Sequence, residues 1–262
     1  NPYHAAAGVM AAGLMVAGVW QQALARLALL RHPTPEGAPS SLLGDAALGA
    51  LLYVLGGSAL ATLLQGATGL DHDRSMLLST LLLQLLVIRY SVGYLFLRRK
   101  ATGEPLGLSG PGRHWALGAG LGLAMGVVAL AYGWFLNEVL DIDARSGGGP
   151  ISRMVSEMSE HPFDGIFALI AASILAPISE ELLFRRLIFM GLWQASGRLA
   201  VSAVLSGLFF AIVHPAAGFP LIFGVGLISS LLCARLGSLA PSFAFHVLFN
   251  SVQLAALMYF SK

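Results

Sequence analysis

Two adjacent carboxylates, Glu180 and Glu181, stand in the stretch Ser179-Glu180-Glu181-Leu182-Leu183-Phe184-Arg185-Arg186, directly after an oily run from Phe167 to Pro177. The other eleven of the chain's 13 acids lie in loops or at expected span ends. Among the seven histidines, His4, His32, His72, His114 and His161 fall in loops or at span edges, and only His214 and His246 are attached to oily helices. Ionisable groups inside a membrane are costly and are kept with partners or for a task.

Spacing divides this set. Residues three and four apart share a helical face. Glu181 can therefore pair with Arg185, whereas Glu180 points elsewhere. One carboxylate is held in a structural ion pair while its neighbour works. His246 and Asn250 offer an imidazole and a carboxamide on one face, and Phe210 packs its ring beside His214. A carboxylate against an imidazole can act as general base on water. A second histidine and an asparagine can donate hydrogen bonds to the oxyanion of amide hydrolysis. Glu180, His214, His246 and Asn250 together read as a water-activating peptidase site within a membrane.

The elements that must position these groups are membrane helices. The chain is 56% hydrophobic and 11% charged, against roughly 25% charged in soluble domains, and its mean hydropathy is +0.77. The fold class expected is all-α, a polytopic bundle of about eight spans enclosing the active site. A net charge of +2 gives no basis for a nucleic-acid partner. The basic run Arg98-Arg99-Lys100 reads as a cytoplasmic anchor. Cys233, the single cysteine, excludes an intramolecular disulfide and a multi-cysteine metal site, and reads as packing. The chain opens on Asn1 rather than Met, which implies a start that is missing or processed.

A crossing helix needs about 20 mostly apolar residues. Candidate spans are Ala5 to Leu30, Leu42 to Leu64, Met76 to Leu97, Trp115 to Leu136, Phe163 to Gln194, Leu199 to Val213, Pro220 to Leu236 and Pro241 to Phe260. The first four, with their loops to residue 150, form an N-terminal membrane region. Residues 151–262 form the catalytic core of the same integral unit. The fifth helix would be about 48 Å long, more than the ~30 Å hydrocarbon core, so it must tilt, project or kink at Pro177. The acidic interval 137–162 reads as an extramembrane loop, with 151–160 able to form a short surface helix. Positive charges between spans three and four, five and six, and seven and eight put those loops on the cytoplasmic side and both termini on the other. On straight helices His214 and His246 would sit at different depths.

Glu180-Glu181-x-x-x-Arg185, Phe210-x-x-x-His214 and His246-x-x-x-Asn250 resemble the three motifs of the CAAX protease and bacteriocin-processing (Abi) family of glutamic intramembrane endopeptidases, which includes the type II CAAX prenyl endopeptidases. Order, internal spacing and membrane setting all match over roughly Ile166 to Gln253. The resemblance implies that Glu180 is the base that activates water, with His214 as its partner. It implies that His246 and Asn250 form the oxyanion site, and that Glu181, Arg185 and Phe210 support them. No cofactor and no metal is required. The substrate is expected to be a membrane-associated or lipid-anchored protein or peptide, and the setting the lipid bilayer of a bacterial or archaeal cell membrane. One departure is visible: the position after Arg185, often Gly in the family, is Arg186.

Three rivals compete with this reading. Two histidines and a glutamate can hold zinc with an open fourth position, although no His-Glu-x-x-His occurs and Asn250 is a poor zinc ligand. The same fold can also serve as a non-catalytic scaffold or immunity protein. A transporter with a midplane ionisable site would carry an internal repeat, which the sequence does not show.

Overall fold

The structure, a computed structural model, describes residues 50, 53, 56, 59–102, 107, 110–142, 153–155, 157 and 160–260. The expected first span lies outside the described residues, as does much of the second; residues 59–68 are helical and run past its expected end at Leu64. The described helices are α1 (His72–Thr102), α2 (Gly112–Leu140), α3 (Pro162–Ser196), α4 (Leu199–Ile212), α5 (Phe219–Leu236) and α6 (Ala240–Phe260). No strand occurs among the described residues. The protein is a polytopic all-α membrane protein: among the described residues five helices, α1, α2, α3, α5 and α6, are long and apolar enough to cross a bilayer. The chain divides into two compact units, 1–106 and 107–262. The second contains α2 to α6 and every site residue named above.

Expected span six is α4, whose 14 residues rise only about 21 Å. By length it falls short of a full crossing. Residues 153–155 form a single helical turn within the acidic interval, with Met154 and Val155 buried.

Outward faces are oily. Phe163, Ile166, Phe167, Ile170 and Ile174 on α3, and Leu117, Leu121, Val128 and Trp134 on α2, are exposed. A helix satisfies its own backbone, so such a face suits a hydrocarbon solvent. The inward faces cohere differently. Lipid tails supply no hydrophobic contrast between helices, and association depends on close packing of small residues. Gly118, Gly122 and Gly126 form a stripe on α2 against α6. A Cβ on Gly118 or Gly122 would drive into the carbonyls of Pro241 or Phe245, and one on Gly126 would meet Val252. Gly120, one face away, has open space. Gln253 Nε2 donates to the Gly126 carbonyl at 3.1 Å, which fixes the register of α6 along α2.

α3 is continuous over 35 residues but changes register twice. Ala171–Leu175 and Glu181–Phe189 are π-helical, with α-helical Ala176–Glu180 between them. Pro177, where a kink was one of the expected adjustments, lies just after the first of these register changes. It lacks an N–H and removes a rung from the ladder. The chain answers with a π-turn, the Ala176 N–H reaching back to the Ala171 carbonyl. In that register the donor for the Ala172 carbonyl would be residue 177, which is proline.

Candidate active site

The Ala172 carbonyl is where the site begins to assemble. Asn250 Nδ2 donates to it at 2.9 Å. A side chain of α6 thus fills the rung that Pro177 leaves open, and α6 is tied to α3 at the level of the motifs. Ser206 on α4 makes a corresponding tie, donating to the Phe184 carbonyl in the second π-segment at 3.0 Å. Register changes of this kind free backbone carbonyls for tertiary partners, and π-segments recur at functional sites for that reason.

The second π-segment starts at Glu181, and both carboxylates are buried, Glu180 at 5% and Glu181 at 1% exposure. Their surroundings differ. Glu181 Oε2 faces Arg185 Nε at 3.4 Å and accepts the Ser242 hydroxyl. Its Oε1 accepts from His246 Nδ1 at 2.9 Å. The ion pair expected from the spacing is present, and it is one of three contacts on that carboxylate. Arg185 is fully buried. Its Nη atoms have no hydrogen-bond partner among the described residues, and its guanidinium lies 4.4 Å from the Phe210 ring centroid and 5.9 Å from that of Phe184. A desolvated guanidinium on an aromatic face gains from the ring quadrupole.

Glu180 faces the histidines. Its Oε2 lies 3.6 Å from His246 Nε2 and 4.0 Å from His214 Nε2. The depth mismatch expected for straight helices is therefore absorbed by stagger: α4 is short, and His214 sits beyond its end. His214 Nδ1 donates to the Phe210 carbonyl at 2.6 Å, so its Nε2 is the atom turned to Glu180. Phe210 packs at 4.6 Å from the His214 ring and edge-on at 5.7 Å from His246. One aromatic ring thus touches both imidazoles and the Arg185 guanidinium.

α2 reaches this arrangement from outside the three motifs. Tyr132 donates to the Ala217 carbonyl at 3.0 Å, in the 3-10 turn Ala216–Gly218 that follows His214-Pro215. Arg186 brings its guanidinium close to Gly107. Cys233 is buried. Among the described residues no group of three or more His, Cys, Asp or Glu side chains is arranged to hold a metal ion.

The sequence reading missed Ser242, Ala172, Ser206, Tyr132 and Gln253. Ser242 had a usable signal: it lies four residues before His246, on the same helical face. The others act through backbone carbonyls, whose availability depends on a register that residue types alone do not announce.

Residues 162–252 match the family model described as Type II CAAX prenyl endopeptidase Rce1-like. No curated protein and no solved structure matches the chain. The matched stretch runs from the first residue of α3 into α6 and contains Glu180, Glu181, Arg185, Phe210, His214, His246 and Asn250; over residues 162–252 this chain is similar to the Rce1-like, type II CAAX prenyl endopeptidase family.

Proposed function

We propose that this protein is an intramembrane endopeptidase that hydrolyses a peptide bond of a membrane-associated protein or peptide with water activated by Glu180. The observation that carries this reading is the buried Glu180 carboxylate facing the Nε2 atoms of two histidines from two other elements, at 3.6 and 4.0 Å. A water in that space can donate to Glu180 and to His214 Nε2 at once, within the one-water reach expected of a general base. Glu180 takes the water's proton as its oxygen attacks the carbonyl carbon. The tetrahedral oxyanion is met by His246 and by the second N–H of the Asn250 amide, whose first N–H is spent on Ala172. Glu180 returns the proton to the leaving nitrogen as the C–N bond breaks. Every step uses side chains of this chain, and no cofactor enters.

The substrate class follows from the setting. A site built on helices that cross the bilayer reaches peptides tethered to the membrane by a lipid or a hydrophobic segment. The membrane is read as that of a bacterial or archaeal cell. The test compares, by mass spectrometry, the peptides of membranes carrying wild type or Glu180→Gln. Defined cleavage products should appear with wild type alone, and kcat/KM on a peptide made from one of them should fall by about 10²–10⁴ in the variant. Equal products from both would sink the reading. Loss of cleavage with a chelator and its return with zinc would replace it with the metallopeptidase.

A further inference from the structure

The contacts of His246 fix where its protons are. Ser242 and His246, four residues apart on α6, both reach Glu181, and Ser242 is fully buried. A carboxylate that also accepts a hydroxyl and faces a guanidinium at ion-pair distance is itself the acceptor. The proton in the His246–Glu181 contact therefore belongs to His246 Nδ1. A neutral imidazole has one N–H, so with Nδ1–H committed its Nε2 carries a lone pair. That lone pair would point at a Glu180 oxygen 3.6 Å away, an arrangement that a proton between them relieves. His214 has its Nδ1–H on the Phe210 carbonyl, so its neutral Nε2 is likewise an acceptor. Neither imidazole, in its neutral form, can offer an N–H to a substrate oxyanion at this site.

We propose that Ser242 is a positioning residue, that with Glu181 it holds His246 in the Nδ1–H orientation, and that His246 consequently meets the substrate as an imidazolium. This deepens the hydrolytic reading and rests on it for its catalytic consequence. Among the described residues the titratable and charged groups facing this cluster are Glu180, Glu181 and Arg185 from α3, His214 from beyond α4 and, on the far side of Glu181, Cys233 from α5. At rest one proton is held between Glu180 and His246. Transfer to His246 Nε2 leaves Glu180 anionic and able to take a proton from water. The same Nε2–H then donates to the oxyanion. The proton on His246 is unchanged over the cycle, and the one taken from water leaves with the amine. A carboxylate that orients an imidazole and stabilises its cation is a recurring solution in hydrolases; here the hydroxyl of Ser242 orients the carboxylate in turn.

The experiment is nitrogen-15 NMR of histidine-labelled protein in lipid nanodiscs, with His246 assigned by the signal missing from His246→Asn. The expected result is a His246 protonated at Nδ1 in wild type, a cationic ring over part of the titration, and a mixture of tautomers in Ser242→Ala. A wild-type His246 that is neutral with its proton on Nε2 overturns the proposal, as does a Ser242→Ala spectrum identical to wild type. On a peptide found in the proteomic comparison, Ser242→Ala should lower kcat about five- to tenfold with KM unchanged, the loss expected for one hydrogen bond. An unchanged kcat counts against it. Wild type without any peptidase activity would sink the hydrolytic reading, while the spectra would still decide how His246 is held.

Discussion

His214 and His246 face the same carboxylate and are fixed in opposite ways. His214 sits past the end of α4, partly exposed, with Nδ1 bonded to a backbone carbonyl four residues earlier in its own chain. His246 is buried inside α6 and held by a carboxylate from α3. The first arrangement is local, and any chain that forms that turn will make it. The second exists only when α3 and α6 are docked in register. One histidine belongs to a turn and the other to a tertiary contact, so removing them should have unequal consequences for the fold.

The largest expected difference comes from the pair of alanine variants. Both should abolish most of the activity. His246→Ala also takes a donor from the buried Glu181 carboxylate and should destabilise the protein by about 1–3 kcal/mol. His214→Ala vacates a partly exposed position and should change stability by less than about 0.5 kcal/mol. Thermal unfolding of the two variants in the same detergent tests this. Equal melting temperatures would mean that the α3–α6 contact does not depend on His246, and the contrast between the two regions would collapse.

Pro177→Ala probes α6 without touching either imidazole. Replacing an interior proline ordinarily strengthens a helix. Here it would give residue 177 an N–H able to claim a carbonyl that Asn250 now occupies. The variant should be at least as stable as wild type yet several-fold slower in kcat, since a displaced amide at the oxyanion position loses part of one hydrogen bond. Improved stability with full activity would mean that Asn250 does not depend on the open rung.

What the sequence disclosed follows the same division between local and tertiary. The oily runs and helical spacings were enough for an all-α membrane protein, the Glu181–Arg185 pair, and Phe210 against His214, because each depends on neighbours within about one turn. Which carboxylate His246 would bind was not accessible that way. The reading gave Glu181 to Arg185 alone, whereas Ser242 and His246 come from 61 and 65 residues further along. The length of α3 against a bilayer required some adjustment, and Pro177 marked its place. That the adjustment would be a π-turn, with Asn250 completing it, depends on how α6 packs. The glycine stripe of α2 was not read from the sequence, since nothing in its spacing named α6 as the partner.

α2 precedes the matched residues 162–252 and yet contacts both regions under comparison. It holds α6 through the glycine stripe and Gln253, and the turn after His214 through Tyr132. If the His214 turn were wholly self-sufficient, deleting the Tyr132 hydroxyl would change nothing. The 3-10 turn it bonds is only three residues long, and Pro215 before it has no N–H to add. Tyr132→Phe removes one hydrogen bond and keeps the ring, so stability should fall by about 0.5–1.5 kcal/mol. Activity should fall by roughly two- to fivefold in kcat, through a looser His214. The same change in a His214→Ala background should have no further effect on residual kcat, because the loosened group is already gone. A further loss there would show that Tyr132 acts through the α6 side of the site, and the division between a locally held and a tertiary-held histidine would have to be redrawn around α2.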